Sequence, residues 1–341
     1  MTRIGINPAR GKTTDYRPKA VTICVLTFIP ELSGYFKHRL ELFNLVFSSL
    51  IANTSVPHDL MVFDNHSCPE VVKYLLNLKL AGYIDYLILS DRNIGKIDAL
   101  KILFNAAPGE FVAYNDDDVF FYPGWLEAHL DILNHFPQVG MVSGIAVRDA
   151  SRHATKSMEK LASDGFSGLQ SSHERYIPDS WESDWAASTG RDPQAHLHAT
   201  SDHIDFIFRL EKPNESGVIL AIASANHFQF MSPKSVILNA LPDNWSGKLM
   251  GSMVELDTAV DNLGYLRLST GQRFTRHLGN QICEEVIRDA KKIRLIGAED
   301  NFRTTSKFSR ASHRKHWLLR IPGSRRFLSY TYKQLFDILY Q

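Results

Sequence analysis

Paired cysteines, long apolar runs and low-complexity tracts are all missing from this chain of 341 residues. The three cysteines, Cys24, Cys68 and Cys283, show no C-x-x-C spacing, which argues against a disulfide framework and against a cysteine-based zinc site. Such cysteine usage fits a reducing cytosol best. No apolar segment is long enough to span a bilayer, and the polar N-terminal arm over residues 1–19 lacks the apolar segment of a secretory signal. We therefore expect a cytoplasmic protein.

Acidic residues are missing from the stretch between Asp300 and Asp337. The nine basic residues in this stretch are Arg303, Lys307, Arg310, Arg314, Lys315, Arg320, Arg325, Arg326 and Lys333. The other 29 basic residues face 37 acidic ones, so the rest of the chain carries a net charge of about −8. We expect residues 291–341 to form a basic amphipathic extension. Either residues 303–340 contact the anionic inner face of the cell membrane, or the extension packs on the acidic body. No nucleic-acid-binding module is recognisable.

Apolar runs of strand length alternate with helical patterns between residues 20 and 147. The first run, "AVTICVLTF", is β-branched and reads as a buried strand. Leu40, Phe43, Phe47 and Leu50 then recur at the spacing of one helix face. Five such strands with short connections predict an α/β fold with a mainly parallel, Rossmann-like central sheet flanked by helices. The alternation breaks over residues 148–216, for which we expect an insertion with little regular structure.

Polar residues follow four successive predicted strands, where sheets of this kind bind ligands. The strand ends carry Thr27, Asp64-Asn65, Asp91-Arg92-Asn93 and Asp116 to Asp118. This convergence predicts one site at the carboxyl edge of the sheet. Adjacent carboxylates suit Mg²⁺ or Mn²⁺, which prefer oxygen ligands. Alternation along a strand would place Asp116 and Asp118 on one face and Asp117 on the other. The alternative for the three aspartates is a solvated acidic loop.

Four motifs in this region resemble those of family-2 glycosyltransferases of the GT-A fold. They are "LTF" at 26–28, "VFDNHSCPE" at 62–70, "RNIGKIDALKILFNAAPGEFVAYNDDD" at 92–118 and "YPGWLEAHL" at 122–130. Their order and spacing, rather than any single motif, make the resemblance specific. It covers residues 20–147 and resumes over 218–280. His66 stands where the family usually has glycine.

The resemblance implies a donor site for a nucleotide-diphosphate sugar. Asp64 matches the carboxylate that contacts the base or ribose, and Asp116 and Asp118 match the D-x-D that reaches ribose and metal. Lys96 either assists the phosphates or is a solvated lysine. The other predicted donor-binding residues are Thr27, Asn93 and Asp117.

A carboxylate near the start of a late helix deprotonates the acceptor hydroxyl in inverting enzymes of this fold. Ser252 and Met253 occupy the positions of the family's usual E-D pair, which leaves Glu255 as the first choice of base and Asp257 as the second. Both can instead be ordinary helix surface charges. They lie about 200° apart on a helix, so they cannot face the same pocket.

The segment "RFTRHLGN" at 273–280 resembles the family's C-terminal histidine segment. It makes His277 a candidate third metal ligand after Asp116 and Asp118, or a diphosphate contact. Arg273 and Arg276 are candidate phosphate partners.

These patterns predict three regions: the arm over 1–19, a catalytic domain over 20–290 with an acceptor-side insertion at 148–216, and the extension over 291–341. The expected function is transfer of a sugar from a nucleotide-diphosphate sugar to a hydroxyl of a glycan or lipid-linked glycan, with inversion and with Mn²⁺ or Mg²⁺. The alternative is a catalytically idle nucleotide-sugar- or glycan-binding module of the same fold. A phosphatase with an aspartate nucleophile fits poorly, because the aspartates follow the fourth strand instead of the first.

Overall fold

The computed structural model describes residues 7–212 and 217–293. Residues 1–6 of the predicted arm and the predicted extension from residue 294 onward lie outside the described residues. The strands are β1 (Val21–Thr27), β2 (His58–Asp64), β3 (Tyr86–Leu89), β4 (Phe111–Asp116), β5 (Val119–Phe121), β6 (Val139–Ser143), β7 (Leu169–Glu174), β8 (Asp205–Glu211), β9 (Val218–Ala223), β10 (Gln229–Pro233), β11 (Leu266–Thr270) and β12 (Thr275–His277). The helices are α1 (Arg39–Ala52), α2 (Pro69–Leu80), α3 (Lys96–Ala106), α4 (Trp125–His135), α5 (Lys156–Asp164), α6 (Asp179–Ser188), α7 (Pro193–Ala199), α8 (Lys234–Ala240), α9 (Met253–Asn262) and α10 (Glu284–Lys292).

Ten of these strands form one sheet in the order β3-β2-β1-β4-β10-β6-β11-β9-β8-β7. The strands β3, β2, β1 and β4 pair in parallel, and β6 pairs in parallel with β11. The strands β10, β9 and β7 run the opposite way. Seven strands therefore share one direction, and the expected mainly parallel α/β fold is confirmed.

Both faces of the central strands are covered by helices, as parallel strands require. All seven residues of β1 are buried, and they alternate between the two sides of the sheet. Ile23 and Val25 pack in the core that α1 supplies with Phe43 and Phe47. The intervening Cys24 and Leu26 pack instead in the core to which α3, α8 and α9 contribute. This double burial fixes the strand ends that carry the polar residues.

The expectation of little regular structure over residues 148–216 is wrong. This segment contains α5, β7, α6, α7 and β8, and β8 and β7 extend the central sheet beyond β9. Short helices and an edge hairpin leave a weak periodic signal, because few of their positions face the core. The burial pattern of β7 contains no fully buried residue.

A second, two-stranded sheet brings a late segment of the chain to the end of β4. The short strand β5 follows β4 after a turn at Asp117–Asp118 and pairs antiparallel with β12. In this register Val119 lies opposite His277, and the Leu278 N–H donates to the Asp118 carbonyl oxygen over 2.8 Å.

The buried His129 of α4 should make the fold sensitive to acid. Its ring bonds the Trp125 carbonyl oxygen at 2.5 Å and the Gln229 side-chain nitrogen at 3.0 Å, and burial lowers its pKa to about 4. The unfolded chain takes up this proton near pH 6.5, so the free energy of unfolding should fall by up to about 3 kcal/mol between pH 6.5 and 4. Urea midpoints across this range should depend less on pH for His129→Gln. His135→Gln, on the same helix but partly exposed, is the control. An equal change in both variants would contradict this assignment.

Candidate donor-binding site

The polar strand ends meet at the carboxyl edge of the sheet, as their order along the chain predicts. Strand β1 lies between β2 and β4, with Thr27 opposite Asp64 and Leu26 opposite Asp116. The Thr27 hydroxyl crosses to the aspartate turn and donates to Asp117 Oδ2 over 2.6 Å. The predicted donor-binding residues Thr27, Asp64 and Asp116 therefore end three adjacent strands, and Asp117 directly follows the last of them.

The three aspartates are buried or partly buried and have basic partners, so they do not form a solvated loop. Asp116 accepts from Lys96 Nζ at 2.7 Å and from the Tyr114 hydroxyl. Lys96 is therefore not a freely solvated lysine. Its ammonium group also lies over the Tyr114 ring, 5.8 Å from the centroid.

Asp117 and Asp118 share a partner that the sequence analysis did not identify, the buried guanidinium of Arg39. Arg39 Nη2 bonds Asp117 Oδ1, and Nη1 bonds Asp118 Oδ2 at 3.1 Å. The grouping of Asp116 with Asp118 on one face stays a prediction, because Asp118 shares Arg39 with Asp117 but also has its pKa lowered by the charge of Lys96, the partner of Asp116. Strand β4 ends at Asp116, and the chain turns at the next two residues, so alternation no longer applies.

Arg39 also anchors the segment that follows β12. Its Nη1 donates to the Gly279 carbonyl oxygen at 2.8 Å and to Asn280 Oδ1 at 3.2 Å. One side chain at the start of α1 thus joins the aspartate turn to a segment 240 residues away. Its sequence signal is weak, because an arginine in the first turn of a helix is usually a surface residue.

The neighbouring carboxyls respond differently to this environment. Burial by itself raises the pKa of both. For Asp118 the charges of His277 and Arg39 outweigh burial, and its pKa lies below the ordinary value. For Asp117 burial dominates despite Arg39, and repulsion from Asp118 adds to it, so its pKa rises to about 6. Asp118 is thus the more firmly ionised of the two.

Asp64 lies at the end of β2 beside a network of asparagines. Its Oδ2 accepts the Ser67 N–H at 3.1 Å, whereas its buried Oδ1 has no hydrogen-bond partner among the described residues. Burial raises the pKa of this carboxyl. Asn65 Nδ2 donates to Asn93 Oδ1 at 3.0 Å, so Asn93 joins the site through its neighbour.

Gly95 fixes the approach of a further loop to the start of α3. Its φ is 86°, and a Cβ there would collide with the Lys248 carbonyl oxygen. His66 also has a positive φ, 77°, although it is not a glycine. The position where the family usually has glycine therefore keeps the left-handed backbone conformation and presents an exposed imidazole near Asp64.

His277 lies beside Asp118, with Nε2 3.5 Å from Asp118 Oδ1. Its Nδ1 bonds the Ser188 hydroxyl at 2.8 Å. Its ring makes edge-to-face contacts with the rings of Trp185 and Phe228, at centroid distances of 5.2 and 5.0 Å. The insertion thus contributes Trp185 and Ser188 to the surroundings of the predicted metal ligand.

A divalent cation fits part of the predicted ligand set. Asp118 Oδ1 is buried without a hydrogen-bond partner in the described ranges and lies 3.5 Å from His277 Nε2. Together the two side chains offer a cation one oxygen and one nitrogen ligand. Asp116 is instead held by Lys96. Across residues 7–212 and 217–293, no group of three or more His, Cys, Asp or Glu side chains is arranged to hold a metal ion.

The two arginines expected near phosphate are engaged with carboxylates. Arg273 Nη1 lies 2.6 Å from Asp184 Oδ2, and Arg276 Nη2 lies 2.8 Å from Asp184 Oδ1. Arg276 Nη2 also bonds Glu285 at 3.1 Å. In this conformation both arginines tie α6 to the strand β12 region.

Glu255 and Asp257 face different surroundings, as their helical spacing predicts. Glu255 is exposed and lines a cleft of about 470 Å³ together with Trp245 and Lys248. Asp257 is buried and bonds histidines and an arginine, so it is not an ordinary surface charge. Ser252, which stands where the family has an acidic residue, caps α9 by accepting the Glu255 N–H.

A mainly parallel sheet gathers carboxylates and asparagines at the ends of β1, β2 and β4, which agrees with the expected GT-A fold. Residues 39–185 match the model of glycosyl transferase family 2, and over that range the resemblance seen in the motifs is confirmed. None of the curated proteins matches the chain. Of the described helices, none is both long and apolar enough to cross a membrane.

Solved structures of glycosyltransferases align with parts of the chain. S. aureus TarS 1-349 aligns over 81% of this chain and 64% of its own, at 12% identity and a TM-score of 0.43. TarS 1-349 in complex with UDP-GlcNAc aligns over 37% and 34%, at 17% identity and a TM-score of 0.30. Mannosyltransferase PcManGT from Pyrobaculum calidifontis, in complex with GDP-Man and Mn²⁺, aligns over 41% of each chain, at 20% identity and a TM-score of 0.32. The chain spans less than two thirds of each of these proteins.

Replacing Arg39 by methionine should strongly destabilise the protein. It would leave Asp117 and Asp118 buried without their shared cation, which typically costs about 3–5 kcal/mol. Urea denaturation of metal-free protein measures this loss. Arg191→Met is the matched control, because Arg191 pairs with Asp149 with half of its side chain exposed, and it should cost about 1 kcal/mol or less. Similar losses in the two variants would show that Arg39 is not the dominant partner of the aspartates.

Proposed function

We propose that this protein transfers a sugar from a nucleotide-diphosphate sugar to an acceptor hydroxyl, with inversion and with a divalent cation. The family match over residues 39–185 supports sugar transfer as the general activity. The observation that carries the proposal is a pair of carboxylates on either side of β1, the buried Asp64 at the end of β2 and the partly buried Asp118 in the turn after β4. Asp64 and Asp118 each keep one oxygen without a hydrogen-bond partner among the described residues.

The donor would bind across the carboxyl edge of the sheet. Asp64 Oδ1 would accept a hydrogen bond from the base or ribose, and Asn65 and Asn93 hold the loop beside it. Asp116 accepts a hydrogen bond from Lys96, the cation at the first position of α3. A diphosphate arriving at this edge would compete with Asp116 for the Lys96 ammonium group, so Lys96 can move from one anion to the other.

Asp118 and His277, with Asp116 if Lys96 releases it, are the residues that would hold Mn²⁺ or Mg²⁺. A bound cation would neutralise the charge that develops on the diphosphate leaving group. Asp117 takes part indirectly, because Thr27 and Arg39 fix it in the turn that aims Asp118 at His277.

In the proposed reaction the acceptor hydroxyl attacks the anomeric carbon from the face opposite the diphosphate. The transition state resembles an oxocarbenium ion, as in glycoside hydrolysis. The hydroxyl must give up its proton to a group within hydrogen-bond reach. Two places are proposed to supply this group, namely Glu255 in the cleft beside Trp245 and the buried cluster around Asp257.

The acceptor is proposed to be a glycan or a lipid-linked glycan. The exposed Trp245 offers a flat apolar ring on which a sugar can stack, beside Lys248 and Glu255. Peripheral contact with an anionic membrane through residues 303–340 would bring the enzyme to a lipid-linked acceptor, and these residues lie outside the described ranges. A catalytically idle binding module is the second candidate, because Ser252 and Met253 replace the family's acidic pair.

One nucleotide sugar should stabilise the protein against heat in a metal-dependent way. We would screen UDP-, GDP- and dTDP-sugars with and without Mn²⁺ by thermal shift and follow donor hydrolysis in parallel. A ligand at 100 times its Kd contributes about 2.7 kcal/mol, which raises the Tm by several degrees. Asp118→Asn should remove the metal-dependent part of the shift.

The control is Asp59→Asn, a buried aspartate at the amino end of β2, on the opposite edge of the sheet. It should keep the full ligand-induced shift even if its own Tm is lower. Stabilisation without any hydrolysis would favour the idle module. Lack of stabilisation by every nucleotide sugar would refute both sugar transfer and an idle nucleotide-sugar-binding module.

A further inference from the structure

A second polar cluster surrounds Asp257 on α9. One of its oxygens, Oδ2, receives hydrogen bonds from His153 Nε2 at 2.9 Å and His227 Nδ1 at 3.0 Å, and Arg267 Nη2 lies 3.0 Å away. The other oxygen, Oδ1, is buried and has no hydrogen-bond partner in the described part of the chain. Asp257 and Arg267 are almost completely buried, whereas the side chains of His153 and His227 are 26% and 35% exposed.

Asp257 is too well stabilised as an anion to be a good proton acceptor itself. Burial would raise its pKa, but the hydrogen bonds from His153 and His227 and the charge of Arg267 outweigh burial and lower the pKa. Arg267 is fixed in turn, because it donates to the Ala225 carbonyl oxygen at 2.6 Å and to the His153 and Ala154 carbonyl oxygens at 3.3 Å. The cluster therefore holds an ionised carboxylate in one position.

His227 bonds this carboxylate and is next in the chain to Phe228, which contacts the candidate donor site. It lies in the turn that leads into β10, the strand beside β4. The carbonyl oxygen of its neighbour Phe228 accepts the Asp116 N–H at 2.9 Å, and the Phe228 ring contacts His277. With Nδ1 on Asp257, the second ring nitrogen, Nε2, makes no hydrogen bond to any residue in 7–212 or 217–293.

We propose that His227, oriented by Asp257, is the general base that deprotonates the acceptor hydroxyl; this inference rests on the proposed function. His227 Nε2 takes the hydroxyl proton while the acceptor oxygen forms its bond to the anomeric carbon. The bond from that carbon to the diphosphate oxygen breaks, and its electron pair leaves with the nucleotide diphosphate. The proton on Nε2 then passes to solvent.

Asp257 acts in this scheme as a positioning residue. A carboxylate that accepts the Nδ1 proton keeps that tautomer and leaves the Nε2 lone pair free. It also stabilises the imidazolium that forms when Nε2 takes a proton, as the aspartate of a serine-protease triad does. The charged or titratable groups that face His227 and its partner are Asp257, His153, Arg267 and, behind Arg267, Asp261.

His153 supplies a matched control for His227. Both histidines donate to the same oxygen of Asp257, and both are partly exposed. His153 lies on the segment before α5, whereas His227 lies beside β4. His153→Gln and His227→Gln each preserve an N–H donor for Asp257 and remove the imidazole, so only the position of the lost base differs between them.

The test combines ring tautomers with donor hydrolysis, in which water is the acceptor. Nitrogen-15 shifts of the full-length protein should show His227 with its proton on Nδ1, and Asp257→Asn should reduce this preference. With the nucleotide sugar that stabilises the wild type, His227→Gln should lower kcat about 100-fold or more at an unchanged donor Kd. His153→Gln should lower kcat less than about threefold.

Equal losses in the two histidine variants, or a His227 tautomer with the proton on Nε2, would overturn the proposal. If the wild type turns over and His227→Gln has the same kcat, the role of His227 would be refuted, whereas the proposed sugar transfer would stand. A wild type that binds a donor but does not hydrolyse it, even with glycerol added as a simple hydroxyl acceptor, contradicts a competent base at His227. Failure of the wild type to bind any nucleotide sugar would instead refute the underlying function. The tautomer measurement would still show whether Asp257 orients His227.

Discussion

The fork of Arg39 with Asp117 and Asp118 is the interaction on which the candidate site depends. Two adjacent carboxylates at a buried strand end would repel each other and would lose hydration, and one delocalised cation with several donors offsets both effects. The same side chain bonds the backbone after β12. It therefore holds together the start of α1, the turn after β4 and the segment that carries His277. Removal of one partner from such a buried network costs far more than the loss of a surface pair.

Each of the three aspartates has a different set of partners, although Asp117 and Asp118 share Arg39. Asp116 belongs to Lys96, Asp117 to Arg39 and Thr27, and Asp118 to Arg39 and His277. Within the described residues this leaves Asp118 Oδ1 without a hydrogen bond, 3.5 Å from His277 Nε2, and an incoming diphosphate can recruit Lys96. A run of three identical residues thus supplies three different environments, because the strand ends at the first of them and the chain turns at the other two.

The sequence carries the local part of this arrangement but little of the distant part. Periodicity and turn residues predict the strands that end at Thr27, Asp64 and Asp116, because burial on both faces demands continuous apolar runs there. Arg39 could not be found in this way, since its partners lie 78 to 241 positions away. The strands β5 and β12 have three residues each and are too short for a pattern. The sequence indicated Asp257 as a candidate carboxylate near the start of α9. Its partners His153 and Arg267 could not be predicted, because they lie on other parts of the chain.

The antiparallel strand β10 has a consequence for the order in which the protein can be completed on the ribosome. Strand β4 ends at Asp116, yet the neighbour that closes its free edge begins at Gln229, more than a hundred residues later. Until that strand emerges, the nascent chain presents an open sheet edge at the acidic turn, of the kind that invites mispairing. Strand β10, which is synthesised late, therefore covers the edge that β4 exposes early.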